Sequence, residues 1–367
     1  MKKYKIAIYA ICKNESAFVQ RWYDSVKEAD VICVVDTGST DNTFELLQEL
    51  PKVITKQKIF DPWRFDDARN ESLDLVPDDV DICLCIDLDE TLDKGWYKAI
   101  EKAWQADTTI GKYLFNLSFD SNGNPTSSMQ NTKLHLRHGY RWAYPVHEVL
   151  KAQGIKDKWQ FIPNMVLNHH PDNNKSRDTY LPLLEQAVIE LPTNPRQKFL
   201  LAREYVRYKK YDEAIKVGHE YMAFGTKALD KVEKNYCDRA IAKAYLGKEW
   251  YIEAEAWFMI AHQECPHLRE PLAELGFMYF KQEEYAKSRE YLLKAIKIKE
   301  KTPGTISSAE AWGSKIYDYL SCACFRVNKY KEAFKYCQQS LKIDKDNKNT
   351  LKNLRLIKEQ LDKEKKD

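Results

Sequence analysis

From Tyr4 to about Pro171, short apolar runs rich in β-branched residues alternate with stretches whose apolar positions recur at helical spacing. That alternation predicts an α/β domain with a mainly parallel sheet covered by helices. Strands are predicted over 6–12, 31–36, 53–56, 82–87 and 113–119, with helices over 16–27, 41–50, 66–75 and 96–104. Ser39, Thr40 and Asp41 offer side-chain oxygens to the first amides of the helix over 41–50. After His169-His170-Pro171 the period changes, and to about Leu361 apolar and aromatic residues follow helical spacing alone. Pro182, Pro192 and Pro195 break this stretch near its start and mark a helical connector.

The helical half repeats itself. A tyrosine stands three positions before a small residue in Tyr211 and Ala214, Tyr251 and Ala254, Tyr285 and Ser288, and Tyr330 and Ala333. A recurrence of roughly 34 residues is the TPR length, in which two antiparallel helices cross at small residues. Unequal intervals place insertions between the first and second and between the third and fourth copies; an irregular helical bundle is the alternative. The division is 1–178 for the α/β domain, 179–195 for the connector and 196–367 for TPR-like repeats, with a charge-rich capping helix over 342–367.

Composition narrows the partners. The 58 basic and 55 acidic residues leave a net charge of +3, so nucleic acid is excluded as a partner class. No apolar stretch reaches the ~18–20 residues of a membrane span. Met1-Lys2-Lys3 and the apolar run behind it imitate a short signal peptide, but Lys13-Asn14-Glu15 stands where a small-residue cleavage site belongs, so the run reads as a buried strand. Nine cysteines without disulfide-type spacing imply a reducing, cytoplasmic setting. Cys83-Leu84-Cys85 and Cys322-Ala323-Cys324 lack the second pair of a zinc site.

Chemistry gathers at strand ends. The apolar run Cys83 to Ile86 stops at Asp87-Leu88-Asp89-Glu90, a carboxylate cluster that suits a hard divalent cation sharing its shell with water and a diphosphate. Standing alone, the same string would serve equally well as a solvated acidic turn. Asp36 ends an earlier strand before Thr37-Gly38-Ser39-Thr40-Asp41, where open α/β sheets receive nucleosides. Arg69 and Asn70, in Asp67-Ala68-Arg69-Asn70, offer a guanidinium and an amide to a diphosphate.

The runs Ala10 to Glu15, Val35 to Asp41, Ala68 to Glu71, Asp87 to Glu90 and Pro145-Val146-His147-Glu148, in that order, resemble family 2 glycosyltransferases of the GT-A fold, a Rossmann-like architecture. With the repeats, the chain resembles the subgroup carrying C-terminal TPR repeats, and in architecture the sublancin-type S-glycosyltransferases. The resemblance implies an inverting transferase moving a hexose-type sugar from a nucleoside diphosphate, in the first place a UDP-sugar, to a peptide or protein side chain. A glycan or lipid acceptor, or an inactive TPR scaffold, is the alternative. It places Ile11, Asn14, Glu15, Asp36, Arg69, Asn70 and Asp87 on the nucleotide sugar, and Asp87, Asp89 and His169 on Mn²⁺ or Mg²⁺. Of the adjacent His169 and His170, one ring at most reaches the metal, and His169 is chosen. Glu148 is the expected general base, with His147 as its rival or its orienting neighbour. The repeats imply a protein partner or a homodimer formed through them.

Overall fold

The computed structural model describes residues 4–119, 123–172, 177–225, 229–302 and 308–364, which fall into two compact units, Met1–Glu190 and Leu191–Asp367. The first unit runs β1 (Ile6–Cys12), α1 (Ser16–Val26), β2 (Val31–Asp36), α2 (Thr43–Gln48), β3 (Val53–Gln57), α3 (Phe65–Asp74), β4 (Ile82–Cys85), β5 (Glu90–Leu92), α4 (Trp96–Ala103), β6 (Ile110–Phe119), β7 (Pro125–Leu136), β8 (Tyr140–Ala143), β9 (Val149–Ala152), β10 (Trp159–His169) and α5 (Tyr180–Glu190).

Eight strands form one sheet in the order β3-β2-β1-β4-β7-β6-β10-β5, and β8 pairs with β9 apart from it. The half β3-β2-β1-β4 is parallel, as apolar strands joined by helices require. Beyond β4 the sheet is mixed: β7 runs antiparallel to both β4 and β6, and β5 antiparallel to β10. Since β10 pairs parallel with β6, the expectation of a mainly parallel sheet holds, with the antiparallel pairings confined to β7 and β5. The strand expected over 82–87 stops at Cys85, and the chain turns through Asp87 to Glu90, where the Glu90 amide donates to the Asp87 carbonyl at 2.9 Å.

Both faces of the parallel half are covered, which is why its strands read as unbroken apolar runs. Along β1, Ile6, Ile8 and Ala10 pack with Trp22 and Val26 of α1 and with Trp96 and Ile100 of α4. Ala7 and Tyr9 face the other way, toward Leu73 of α3 and Trp142 of β8. Trp22 and Trp96 are fully buried, and truncating either to alanine costs roughly 3–5 kcal/mol. The helix α5, set apart from sequence as a connector, clusters with this unit: Arg64 grips Glu190 with paired hydrogen bonds of 2.7 and 2.9 Å, and the Phe65 ring meets Tyr180 edge-on.

The second unit comprises α6 (Pro195–Arg207), α7 (Tyr211–Met222), α8 (Lys231–Gly247), α9 (Tyr251–Glu264), α10 (Glu270–Lys281), α11 (Tyr285–Lys297), α12 (Ala309–Trp312), α13 (Lys315–Arg326), α14 (Tyr330–Ile343) and α15 (Lys348–Glu364). Consecutive helices pair as α6/α7, α8/α9, α10/α11 and α13/α14. Each aligned tyrosine opens the second helix of its pair, and Ala214, Ala254, Ser288 and Ala333 are fully buried where the helices meet. The turn into that helix recurs too, with left-handed backbone at Lys209, Glu249, Glu283 and Asn328, two positions before each tyrosine. Gly276 permits the α10/α11 crossing, since a Cβ there would lie 2.5 Å from Leu292. The third interval contains the short α12, while 303–307, like 226–228 in the first interval, lie outside the described residues. The capping helix is α15, with 365–367 also outside.

Candidate active site

Parallel pairing places Cys12 opposite Asp36, so β1 and β2 end side by side. Asp36 is fully buried, and its Oδ1 accepts hydrogen bonds from the amides of Gly38 (2.9 Å) and Ser39 (2.8 Å) and from the Gln57 side chain (3.1 Å). Burial opposes ionisation of this carboxyl, but the hydrogen bonds led by Ser39 outweigh it and hold Asp36 below the usual carboxylate range. Gly38 turns the chain at φ 100°, a conformation that strains any side chain.

The loop that follows caps α1 more than α2, correcting the expectation from sequence. The amides of Asn14, Glu15 and Ser16 donate to Ser39 Oγ (2.8 Å), Thr43 Oγ1 (2.8 Å) and Asp41 Oδ2 (3.2 Å), while Asn14 Oδ1 accepts from the Thr40 amide at 2.7 Å. Asp41 also accepts from the Thr43 amide at the start of α2. Asn14 and Glu15 therefore brace the loop, and Ile11 packs with Val35 and Ala68 beneath it.

Past β4 the charges interlock. Arg69 of α3 is almost buried and presents both terminal nitrogens to Asp87 (2.7 and 3.0 Å), while its Nε donates to Glu148 at 2.5 Å. Lys133 of β7 reaches the same Asp87 at 3.0 Å and Glu90 at 3.5 Å. Burial works against the Asp87 charge, yet Arg69 and Lys133 prevail and hold this carboxyl far below the ordinary range. Burial pushes Glu90 up, reinforced by the negative charge of Asp87. Its Oε2 accepts the Asp87 amide at 2.9 Å, which fixes the turn. Asn70 pairs with the Trp142 backbone in both directions, at 3.0 and 2.9 Å, so its amide joins α3 to β8.

Asp89 faces His169 at 3.5 Å, and its carboxylate raises the imidazole above the ordinary 6.5. This closeness follows from the pairing of β10 with β5, which sets His169 opposite Glu90. His170 points elsewhere, stacking on Phe119 at 5.5 Å with its Nε2 3.2 Å from Thr91 Oγ1. Among the described residues no three His, Cys, Asp or Glu side chains converge as a metal cage. The donor set fits a hard cation at Asp89 and His169, two partly accessible ligands that leave room for water and phosphate oxygens. It does not fit at Asp87, whose oxygens are already held by Arg69 and Lys133. Glu148 lies at the Arg69 end of this network, and His147 meets the Tyr180 ring edge-on from a left-handed backbone at φ 50°.

Residues 8–160 match the family model described as Glycosyl transferase family 2. The N-terminal unit carries a family 2 glycosyltransferase domain. The lipopolysaccharide core biosynthesis glycosyltransferase LpsC of Rhizobium meliloti (strain 1021) is 32% identical over 94 residues, which cover 25% of this chain and 34% of that protein. The chain thus matches about a third of the relative's length. In the second unit, residues 272–305 match a tetratricopeptide repeat model and 315–365 the Fis1 C-terminal tetratricopeptide repeat. Solved structures similar to this chain include a thermophilic TPR protein of Thermus thermophilus (17% identity, TM-score 0.36, covering 49% of this chain and 89% of that one) and MamA (17%, 0.37, 46% and 88%).

Within the glycosyltransferase domain, the sequence reading missed Lys133 and the bracing role of Trp142. Lys133 lies on a strand with few apolar residues and Trp142 on a strand of only four residues, so no periodic signal pointed to them. Lys133 is visible as a site residue only once β7 is paired against β4. No described helix is long and apolar enough to cross a membrane.

Proposed function

We propose that this protein transfers a sugar, with inversion, from a nucleoside diphosphate donor, in the first place a UDP-sugar, to a nucleophile on a peptide or protein. The reading rests above all on one observation: in a family 2 glycosyltransferase domain, Asp36, the Arg69–Asp87 pair and the Asp89–His169 pair gather past the carboxyl ends of β1, β2 and β4, at the point where strand order reverses.

In this mechanism the loop organised by Asp36 receives the nucleoside, and the Arg69–Asp87–Lys133 network anchors the nucleotide end of the donor. Asp89 and His169 would hold Mn²⁺ or Mg²⁺, whose charge would offset that of the departing diphosphate. The acceptor heteroatom bonds to the anomeric carbon as the bond from that carbon to the diphosphate oxygen breaks. The nucleoside diphosphate leaves with the bonding electrons, and the acceptor proton passes to Glu148, or to His147 beside it. Arg69 positions Glu148 by gripping one of its oxygens.

A second reading, transfer to a glycan or lipid, is favoured by the name of LpsC, a lipopolysaccharide core biosynthesis glycosyltransferase. Incubating the full chain and Mn²⁺ with a panel of nucleotide sugars, and with peptide and lipopolysaccharide-type acceptors, distinguishes the two by the mass added to each acceptor. Product is expected with the native chain and not with Asp89→Ala. An equally active Asp89→Ala in chelator-treated buffer resupplied with Mn²⁺ would overturn the metal assignment, and no turnover of any donor would overturn the transferase reading.

A further inference from the structure

Helix α5 reaches the candidate site through its first residue. Tyr180 is half-buried, and its ring meets Phe65 edge-on at 5.8 Å and His147 edge-on at 5.6 Å. The Arg177 guanidinium lies 4.1 Å over the same ring, and the Tyr180 amide donates to the Arg177 carbonyl at 2.9 Å, so the turn into α5 and the ring hold each other in place. At the other end of the helix Glu190 is gripped by Arg64, the neighbour of Phe65. Both ends of α5 are thus fastened to the start of α3.

The loop that Tyr180 touches carries the candidate base. Pro145 is tied to α3, its carbonyl accepting from the Phe65 amide at 2.9 Å, and Val146 is buried. His147 follows with left-handed backbone at φ 50°, where a side chain is strained unless contacts hold it. Two side chains divide the end of the loop between them: Arg69 holds Glu148, and the Tyr180 ring holds His147. Burial raises the Tyr180 phenol above its usual value. The Arg177 charge opposes the rise and the negative charges of Glu148 and Asp87 add to it, which sets the hydroxyl within the field of the charged network.

We propose that Tyr180 is a positioning residue for sugar transfer: its ring pins the His147 imidazole and leaves Glu148 as the group that faces the acceptor nucleophile. The proposal rests on the transferase reading above. An edge-on ring contact has to break before the imidazole can turn, and Phe65 and Arg177 keep the tyrosine ring where it is. The left-handed turn at His147, held by this contact, aims the next side chain toward Arg69. A packing role alone would change stability without changing which group takes the proton.

The test uses the full chain with Mn²⁺ and with the nucleotide sugar and acceptor that give product in the panel above. It compares Tyr180→Phe, which keeps the ring, with Tyr180→Leu, which removes it. Tyr180→Phe is expected to keep the native kcat, and His147→Gln alone to keep most of it. Tyr180→Leu is expected to lose about tenfold or more in kcat, with unchanged UDP affinity by calorimetry and unchanged circular dichroism. Its kcat profile should gain a step in the histidine range, at about pH 6.5, that disappears when His147→Gln is added. In histidine-labelled protein the His147 ring-proton resonance, identified by its loss in His147→Gln, should move in Tyr180→Leu and stay in Tyr180→Phe, a readout that needs no turnover. An unmoved resonance, a folded Tyr180→Leu with native kcat and pH profile, a Tyr180→Phe as damaged as Tyr180→Leu, or a His147→Gln as inactive as Glu148→Gln would each overturn the proposal. Absence of turnover by the native chain would overturn the transferase reading and with it the role of Tyr180, while the resonance still decides whether the ring pins His147.

Discussion

Asp87 owes its charge to two cations from different parts of the chain, the Arg69 fork and the Lys133 ammonium. Arg69 in turn divides its donors between Asp87 and Glu148, so the candidate base is oriented by the same guanidinium that anchors the nucleotide motif. Replacing Glu148 by glutamine keeps an oxygen for the Arg69 Nε and leaves Asp87 to balance the guanidinium. Glu148→Gln is therefore expected to fold and bind donor normally while kcat falls by ~10²–10⁴, the usual reach of a general base. Calorimetry with UDP and steady-state transfer separate the two effects; a near-normal kcat would move the proton to His147.

Between elements, a buried polar chain ties β1, β7 and β8 together. His135 Nδ1 lies 2.7 Å from the Leu136 carbonyl and must donate to it, which makes Nε2 the acceptor for the Tyr9 hydroxyl at 2.7 Å. That hydroxyl oxygen accepts from Trp142 Nε1 at 2.9 Å. Burial pulls the His135 pKa from 6.5 down to about 4. The unfolded chain therefore binds this proton at higher pH than the folded one, so the contribution is intact above about 6.5 and is lost as pH falls from there to about 4. The loss amounts to about 3 kcal/mol at most, taking roughly 1.4 kcal/mol per pH unit. Urea unfolding at neutral pH and in mild acid should show this decline in the native chain. His135→Gln should be less stable at neutral pH but decline less with acid, and an unchanged acid slope in that variant would contradict the assignment.

At the scale of the whole molecule, the two units have separate cores, one around the sheet and one running through the repeats. Every candidate donor contact lies in the first unit, so a substitution at an exposed position of the second, such as Arg203→Glu on α6, is expected to leave UDP affinity unchanged. Weaker UDP binding by that folded variant would show that the units do not divide the work in this way.

The alternation of apolar runs and the recurring tyrosines determined by themselves that a sheet domain precedes helical repeats, because buried strands and close helix crossings demand particular residues at particular spacings. Asp36, Asp87 and Asp89 were legible for a related reason: charge directly after a buried strand is costly unless something uses or balances it. The resemblance set His169 beside Asp89 and Arg69 near the donor, but the direct pairing of these charges, and Lys133 altogether, were not legible. Lys133 and His169 lie far from Asp87 and Asp89 in sequence, and β7 is too polar to announce itself as a strand. Only tertiary structure, the packing of α3 on the sheet and the pairing of β7 and β10 within it, decided that Asp87 faces two cations while Asp89 faces a histidine, because a carboxylate's role depends on which groups the fold brings within hydrogen-bond reach.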